Sequence, residues 1–237
     1  MFRILLFAGL LAGSLQAAAA DPPNLENLTA ALGGITPDSV NPAPVPGLYE
    51  VVVGLQVLYL TEDGQYVIQG DIIRLPEGEN LTDDRRRTAR LAAIEAMGED
   101  KMIVFAPAGE VRHTITVFTD VNCPYCRRFH QEIGNYTGQG IKVRYLLYPV
   151  LGPDSYAKAV TVWCSEDRTA ALTKAKQDED IGQKTCANPI NEHFELGRRL
   201  GVRGTPNIVL ESGTMIPGYK PAAELAQLLD SEAAAAN

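Results

Sequence analysis

Hydrophobic positions along this chain change their period as it proceeds, and each change marks an element boundary. Residues 4–12 are an unbroken apolar run behind a single positive charge, Arg3. Residues 25–32 read as a short helix stopped by Gly33-Gly34. Prolines at 37, 42, 44 and 46 make 36–47 an extended connector instead of regular structure. β-Branched and aromatic side chains then dominate 48–61. Glu62-Asp63-Gly64-Gln65 supplies a turn with an Asp-Gly hairpin signal, and 66–68 and 70–75 continue the strands.

From residue 81 the period becomes helical. Leu91, Ala93, Ile94 and Met97 form one apolar stripe, Thr82 is placed to cap its start, and Gly98 to end it. The run Arg85-Arg86-Arg87 on this helix reads as a solvated face. Beyond Lys101 strands and helices alternate: strands at 102–105 and 114–118, a helix at 126–136, and a strand at 141–148. Helical stretches between 155 and 176, a helix at 191–200, a hairpin of 207–210 with 214–216 around Ser212-Gly213, and a helix at 221–230 complete it. The tail 233–237 is expected to fray. Strand–helix–strand followed by helix–hairpin–helix is the thioredoxin order, here with a helical insertion. The expected fold class is therefore α/β, preceded by a small α+β unit.

The chain divides into a leader at 1–20, a strand-rich N-terminal domain at 21–80, a linker helix at 81–99 and a larger domain at 100–237. The leader combines Arg3, the apolar run and Ala17-Ala18-Ala19-Ala20, the pattern of a secretory signal cleaved near Ala20 and too short to span a bilayer. No later stretch is apolar enough to act as an anchor, so the expectation is an exported protein free of the membrane. The formal charge of −8, or −9 without Arg3, gives no general attraction to nucleic acid or anionic lipid. A sheet as small as that of 21–80 has little core and open edges. Pairing with a second copy would relieve both, and so would packing on its own C-terminal domain.

Export also frames the chemistry, because an oxidising compartment lets disulfides persist. Four cysteines allow three full pairings, and the spacing suggests Cys123 with Cys126 and Cys164 with Cys186. Cys123-Pro124-Tyr125-Cys126 sits where a strand ends and a helix begins. Orphan backbone N–H groups and the helix dipole favour negative charge there, and the thiolate is the nucleophile of disulfide exchange. Lowering a thiol pKa by two units needs roughly 2.7 kcal/mol. A helix end supplies about 1–2 kcal/mol at best, so direct hydrogen bonds to the sulfur must supply the rest. Cys126, one turn further in, is expected to be more buried and to act as the resolving thiol.

A zinc half-site is the rival reading, but Cys164 and Cys186 lack a matching pair spacing. His113, His130 and His193 are scattered, and surface or packing roles suit them better than metal ligation. Neither metal nor cofactor is called for. A Cys164–Cys186 bridge reads as a structural staple, over which Trp163 could pack. Asp120 and Glu132 lie near enough to the cysteines to be considered for proton transfer, with solvent-facing roles equally open. The Thr205-Pro206 peptide, leading into a strand, is open to either a cis or a trans form; a cis turn would free the Thr205 backbone to pair with an extended peptide. Tyr125 belongs on the rim that faces such a substrate.

Thr116-Val117-Phe118-Thr119-Asp120 before the cysteine pair, Gly204-Thr205-Pro206 and Pro217-Gly218-Tyr219 resemble the bacterial periplasmic disulfide isomerases of the DsbC/DsbG family. The resemblance extends upstream to Asn41-Pro42-Ala43-Pro44-Val45-Pro46-Gly47 and Tyr66-Val67-Ile68-Gln69-Gly70, and so spans nearly all the chain after the leader. It implies a homodimer joined through cystatin-like N-terminal domains, with thioredoxin-like domains facing a shared cleft. It further implies a cis Thr205-Pro206 peptide, a structural Cys164–Cys186 bridge, and a Cys123 kept reduced by a membrane thiol reductase of the DsbD type. Substrates would be misoxidised exported proteins. Pro124-Tyr125 looks like DsbG, whereas Thr205 and the segment lengths look like DsbC. Two alternatives follow: a thiol oxidase that donates a Cys123–Cys126 disulfide, and a DsbG-like reductase of sulfenylated cysteines with holdase activity.

Overall fold

The computed structural model describes residues 25–235, so the leader 1–20 and the last two residues of the tail lie outside the described residues. Helix α1 (Glu26–Ala31) lays Leu28 on Val51, Leu58 and Leu60 of a four-stranded antiparallel sheet. That sheet runs in the order β1 (Ser39–Pro42), β2 (Leu48–Val53), β3 (Gln56–Thr61), β4 (Val67–Ile68). Strand β1 corrects the expectation of an irregular connector at 36–47. It is an edge strand in which Ala43 N–H donates to Leu48 O at 2.9 Å. Alternate residues point their N–H away from the partner, so the missing N–H of Pro42 falls on the open side and costs no ladder bond. The Asp63-Gly64 turn forms as expected, Gly64 having φ +68°.

A short hairpin, β5 (Ile73–Arg74) with β6 (Glu79–Asn80), leads into helix α2 (Leu81–Met97). The helix is capped by Asn80, whose side chain accepts from Asp83 N–H at 2.9 Å, and not by Thr82. Thr82 is fully buried instead. Its hydroxyl bonds Tyr59 OH of β3 and accepts the Ile72 amide, which ties the start of the helix to the sheet before it. The three arginines stay partly exposed but are paired within the chain, Arg85 with Glu50, Arg86 with Asp71, and Arg87 with Asp84. The helix stops at Gly98, φ +82°, where a Cβ would lie 2.4 Å from Asp100 Oδ1.

After a single helical turn at Glu99–Lys101 come β7 (Ile103–Phe105), β8 (His113–Thr119), α3 (Pro124–Gln131), α4 (Ile133–Gly138) and β9 (Ile141–Leu147). Then follow α5 (Pro153–Trp163), α6 (Arg168–Lys176), α7 (Ile190–Arg199), β10 (Asn207–Val209), β11 (Met215–Pro217) and α8 (Ala222–Ala235). The helix expected at 126–136 is broken at Glu132 into α3 and α4. Helix α8 carries order into the tail as far as Ala235.

The five strands lie in the order β11-β10-β8-β9-β7, with β8 and β9 parallel and the other pairs antiparallel. Strand alternation sends Ile115 and Val117 to one face, where α3, α4, α5, α6 and α8 cover them, and Phe118 to the other. On that second face Phe118, Leu146 and Val209 meet Ile94 of α2 and Leu196 of α7, with Leu55 from the β2–β3 turn packed alongside. Arg90 of α2 also donates to the carbonyl of Gly213 in the β10–β11 turn. The linker helix is thus anchored at both ends. Among the described residues no helix is long and apolar enough to cross a membrane.

Candidate active site

Strand β8 lies in the middle of the sheet, and the loop leaving it is held by one buried carboxylate. Asp120 Oδ1 accepts from Asn122 N–H and Ser155 OH, both at 2.8 Å, and Oδ2 accepts from Leu151 N–H at 3.0 Å. These three bonds brace the loop, which gives Asp120 a positioning role. Glu132 is likewise engaged, accepting from Tyr219 OH at 2.7 Å.

The chain then enters α3 with Cys123 as the N-cap residue (φ −70°, ψ 125°) and Pro124 in the first turn, where no N–H is needed. Cys123 is 7% exposed and Cys126 fully buried, and both are free thiols. The Cys123 sulfur lies 3.2 Å from the carbonyl oxygen of Thr205, to which its thiol donates. A hydrogen bond from Cys126 pulls the Cys123 thiol down to about 5 against the resistance of burial. The Thr205 hydroxyl and the backbone N–H groups of Cys126 and Tyr125 assist by donating to the thiolate, whereas the contact to the Thr205 carbonyl belongs to the protonated thiol. Burial pushes Cys126 far the other way, and the neighbouring Cys123 thiolate adds to the rise. The two thiols thus differ in the sense the helix N-terminus requires.

Across the sulfur, Thr205-Pro206 is a cis peptide, and the carbonyl of Pro206 accepts from Gly218 N–H at 2.8 Å before the chain enters β10. Tyr125 projects from the motif at 62% exposure, and Val150, Leu151 and Tyr156 are further exposed apolar side chains of the same domain. Cys164, at the end of α5, is bonded to Cys186 ahead of α7. Cys164 packs against the core cluster that includes its neighbour Trp163, whose ring has two further partners. The Arg168 guanidinium stacks on its ring at 3.7 Å and His193 meets it edge-on.

All three histidines are buried, so a surface role is excluded for each. His113 bonds Asp230 at 2.8 Å, His130 lies between Tyr145 OH and Thr173, and His193 between the Lys101 carbonyl and the Leu147 amide. Burial holds His130 down to about 3 and His193 to about 4, so both are neutral packing residues. No group of three metal-ligating side chains occurs among the described residues.

Sequence reasoning missed Lys176. It lies at the last position of α6, 2% exposed, with Nζ 2.8 Å from Thr119 Oγ1 and 3.2 Å from the Asp120 carbonyl. Burial lowers its pKa to about 8, although both cysteine sulfurs and Asp120 favour the charged form. Only the turn-in of α6 over α3 reveals it; in the sequence it is one of two lysines, Lys174 and Lys176, in the last turn of a helix.

Comparison with known proteins decides what this arrangement belongs to. Residues 99–233 match the thioredoxin-like domain, and residues 16–83 match the disulfide bond isomerase N-terminal domain. The thiol:disulfide interchange protein DsbC of Dickeya dadantii is 36% identical over 236 residues, covering 98% of this chain and 96% of its own. The chain belongs to the DsbC family. DsbC of Escherichia coli K12 is 34% identical over 93% of this chain and 92% of its own length. The crystal structure of a disulfide interchange protein from Neisseria gonorrhoeae aligns with a TM-score of 0.52 and 32% identity, covering 57% of this chain and 97% of that one. As a DsbC-family protein this is a thiol–disulfide oxidoreductase and isomerase of thioredoxin fold, acting on protein disulfides by thiol–disulfide exchange.

Proposed function

We propose that Cys123 is the nucleophile and Cys126 the resolving thiol of a periplasmic disulfide isomerase, exported with cleavage near Ala20. The observation that carries this is the opposite displacement of the two thiols, one held as thiolate at a helix end and the other buried as thiol. The Cys123 thiolate attacks one sulfur of a wrong disulfide, and the electron pair of the broken S–S bond leaves on the other substrate sulfur. A second substrate thiolate then displaces Cys123 and a different pairing results. Otherwise Cys126 attacks Cys123, the substrate leaves reduced, and a Cys123–Cys126 disulfide remains.

That last outcome needs electrons from outside, and a membrane thiol reductase of the DsbD type supplies them in this reading. The substrates are misoxidised exported proteins. An extended segment of such a substrate pairs with the Thr205 backbone beside Pro206 by strand addition, lies across the Cys123 sulfur, and rests apolar side chains on Tyr125. The Cys164–Cys186 bridge is structural, closing a loop of sequence separation 22.

The functional unit is a homodimer through the N-terminal domain. Edge strand β4 and the hairpin after it expose Tyr66, Val67, Ile68, Ile73 and Leu75, the last at 85%, an apolar edge suited to strand pairing with a second copy. Refolding of a scrambled disulfide protein tests the assignment: Cys123→Ala should abolish isomerisation, and retained activity would sink it. In cells, alkylation trapping should find Cys123 and Cys126 reduced with Cys164–Cys186 bridged. An oxidised active-site pair would favour a disulfide donor.

A further inference from the structure

Resolving the mixed disulfide poses a problem that the two cysteines do not solve by themselves. Cys126 must attack as a thiolate, yet it is fully buried, and burial holds it protonated. No solvent reaches its sulfur to take the proton. Besides Cys123 itself, a second side chain reaches it: the hydroxyl of Thr119, at the end of β8, donates a hydrogen bond to the Cys126 sulfur. The same hydroxyl oxygen lies 2.8 Å from Lys176 Nζ. Sulfur, hydroxyl and amine therefore form one continuous line inside the protein.

We infer that Lys176 takes the proton of the Cys126 thiol, through the hydroxyl of Thr119, in the step that resolves the mixed disulfide. The inference rests on the reading of Cys126 as the resolving thiol. Neutral Lys176 accepts the Thr119 hydroxyl proton while Thr119 accepts the Cys126 proton. The Cys126 sulfur then attacks Cys123 Sγ, the Cys123–Cys126 bond forms, and the substrate departs with the electron pair as a thiolate. The hydroxyl reverses its donor direction in the process, which a freely rotating O–H does without moving heavy atoms. Lys176 ends as an ammonium donating to Thr119, the arrangement seen here.

Two features of the site fit this use. Among the described residues, the hydrogen bonds of the Lys176 amine go only to Thr119 Oγ1 and the Asp120 carbonyl, with no carboxylate among them. A buried amine without an ion pair is expensive to keep charged, so it readily gives up its proton. The groups facing it also change with the reaction. Cys126, Cys123 and Asp120 favour its charged form, Arg127 opposes it, and buried His130 and the Tyr145 ring at 5.8 Å complete the surroundings. Arg127 is itself paired with Asp178. In the mixed disulfide Cys123 carries no charge and Cys126 is protonated, so two attractive partners are gone and the amine is most easily neutral when it is needed. From its value of about 8 in the reduced site it moves lower still.

The test uses the full-length reduced protein and an aromatic disulfide whose thiolate is coloured. Reaction at Cys123 gives a mixed disulfide with the arylthiol, and attack by Cys126 releases a second equivalent, followed by stopped flow across pH. In the wild type the release rate should already have levelled off by about pH 8, the value of the amine in the reduced site being an upper bound for the mixed disulfide. Lys176→Met should slow it by about 10²-fold near neutrality, the span general-base catalysis provides, and leave it rising with hydroxide without a plateau. Thr119→Val, which interrupts the line but keeps the amine, should behave alike, and Thr119→Ser should restore the rate. If Lys176→Met keeps the wild-type rate and plateau, the inference falls. It also falls if Thr119→Val keeps them while Lys176→Met does not, since the lysine would then act only as a charge. If Cys126→Ser releases the second equivalent as fast as the wild type, the resolving role of Cys126 fails instead.

Discussion

The hydrogen bond from Cys126 is the largest influence holding the Cys123 thiol down to about 5, and removing it makes a quantitative test. A hydrogen bond to a charged group contributes about 1.5–3 kcal/mol, and each pKa unit corresponds to about 1.4 kcal/mol. Cys126→Ala should therefore raise the Cys123 pKa by about one to two units, to ~6–7. Cys126→Ser keeps a donor of similar reach and should leave it close to the wild-type value. Thiolate absorbance against pH reads this directly on reduced protein, as does the rate of alkylation. Linkage adds a second readout. A thiol whose folded pKa is depressed from 9.0 to about 5 stabilises the reduced fold fully above pH 9, and that stabilisation is lost as pH falls toward 5. In Cys126→Ala the loss should still begin near pH 9 but be complete at the higher folded value, ~6–7, and be smaller in total. An inflection unmoved in Cys126→Ala, or moved equally in Ala and Ser, would refute the argument and leave the helix end as the cause.

Other consequences are as direct. Replacing Cys164 and Cys186 by alanine should lower stability by about 3 kcal/mol, read as a fall in melting temperature. Adding reductant to the wild type should give the same fall, and no change would deny the bridge a stabilising role. Thr82→Val leaves the buried Tyr59 hydroxyl and the Ile72 amide without a partner and should cost about 1–3 kcal/mol in denaturant unfolding. Gly197→Ala places a Cβ 2.6 Å from the Tyr148 ring and should cost about 1–3 kcal/mol by overpacking. Lys176→Met should stabilise reduced protein. The folded amine sits near 8 against 10.5 when free, so the unfolded chain binds more protons between those values and stability falls as pH drops through them. At neutral pH the gain on removal is on the order of 3 kcal/mol, and an unchanged pH–stability curve would refute it.

Much of this was legible in the sequence because it depends on local pattern. The position of Cys123 follows from a strand running into a Pro-containing helix start, and the strand alternation of β8 and β9 follows from their apolar spacing. The features that were missed depend on which side chain wins a competition in space. Thr82 and Asn80 are both acceptable caps, and only the proximity of Tyr59, 23 residues earlier, draws Thr82 inward. The prolines of 36–47 argue against regular structure until an edge strand offers an open side for Pro42. Lys176 becomes part of the site only because α6 folds over α3, bringing it to Thr119 across 57 residues. The histidines looked peripheral because their partners, such as Asp230 and Lys101, are remote in the chain.

The linker helix carries a further consequence. At about 1.5 Å per residue its 17 residues make a rigid spacer of roughly 26 Å. It is clamped at one end by Tyr59 and Thr82 and at the other by Ile94 and the Arg90 contact to Gly213. Such a spacer sets an azimuth as well as a length. One inserted residue turns the Cys123 face by about 100° relative to the N-terminal sheet, whereas seven added together restore the heading and lengthen the arm by about 10 Å. In a two-fold assembly the same error applies to both copies, so a single insertion would turn both thiols out of register with the space between them. The heading of the Cys123 face relative to the N-terminal sheet is thus set by the residue count of α2.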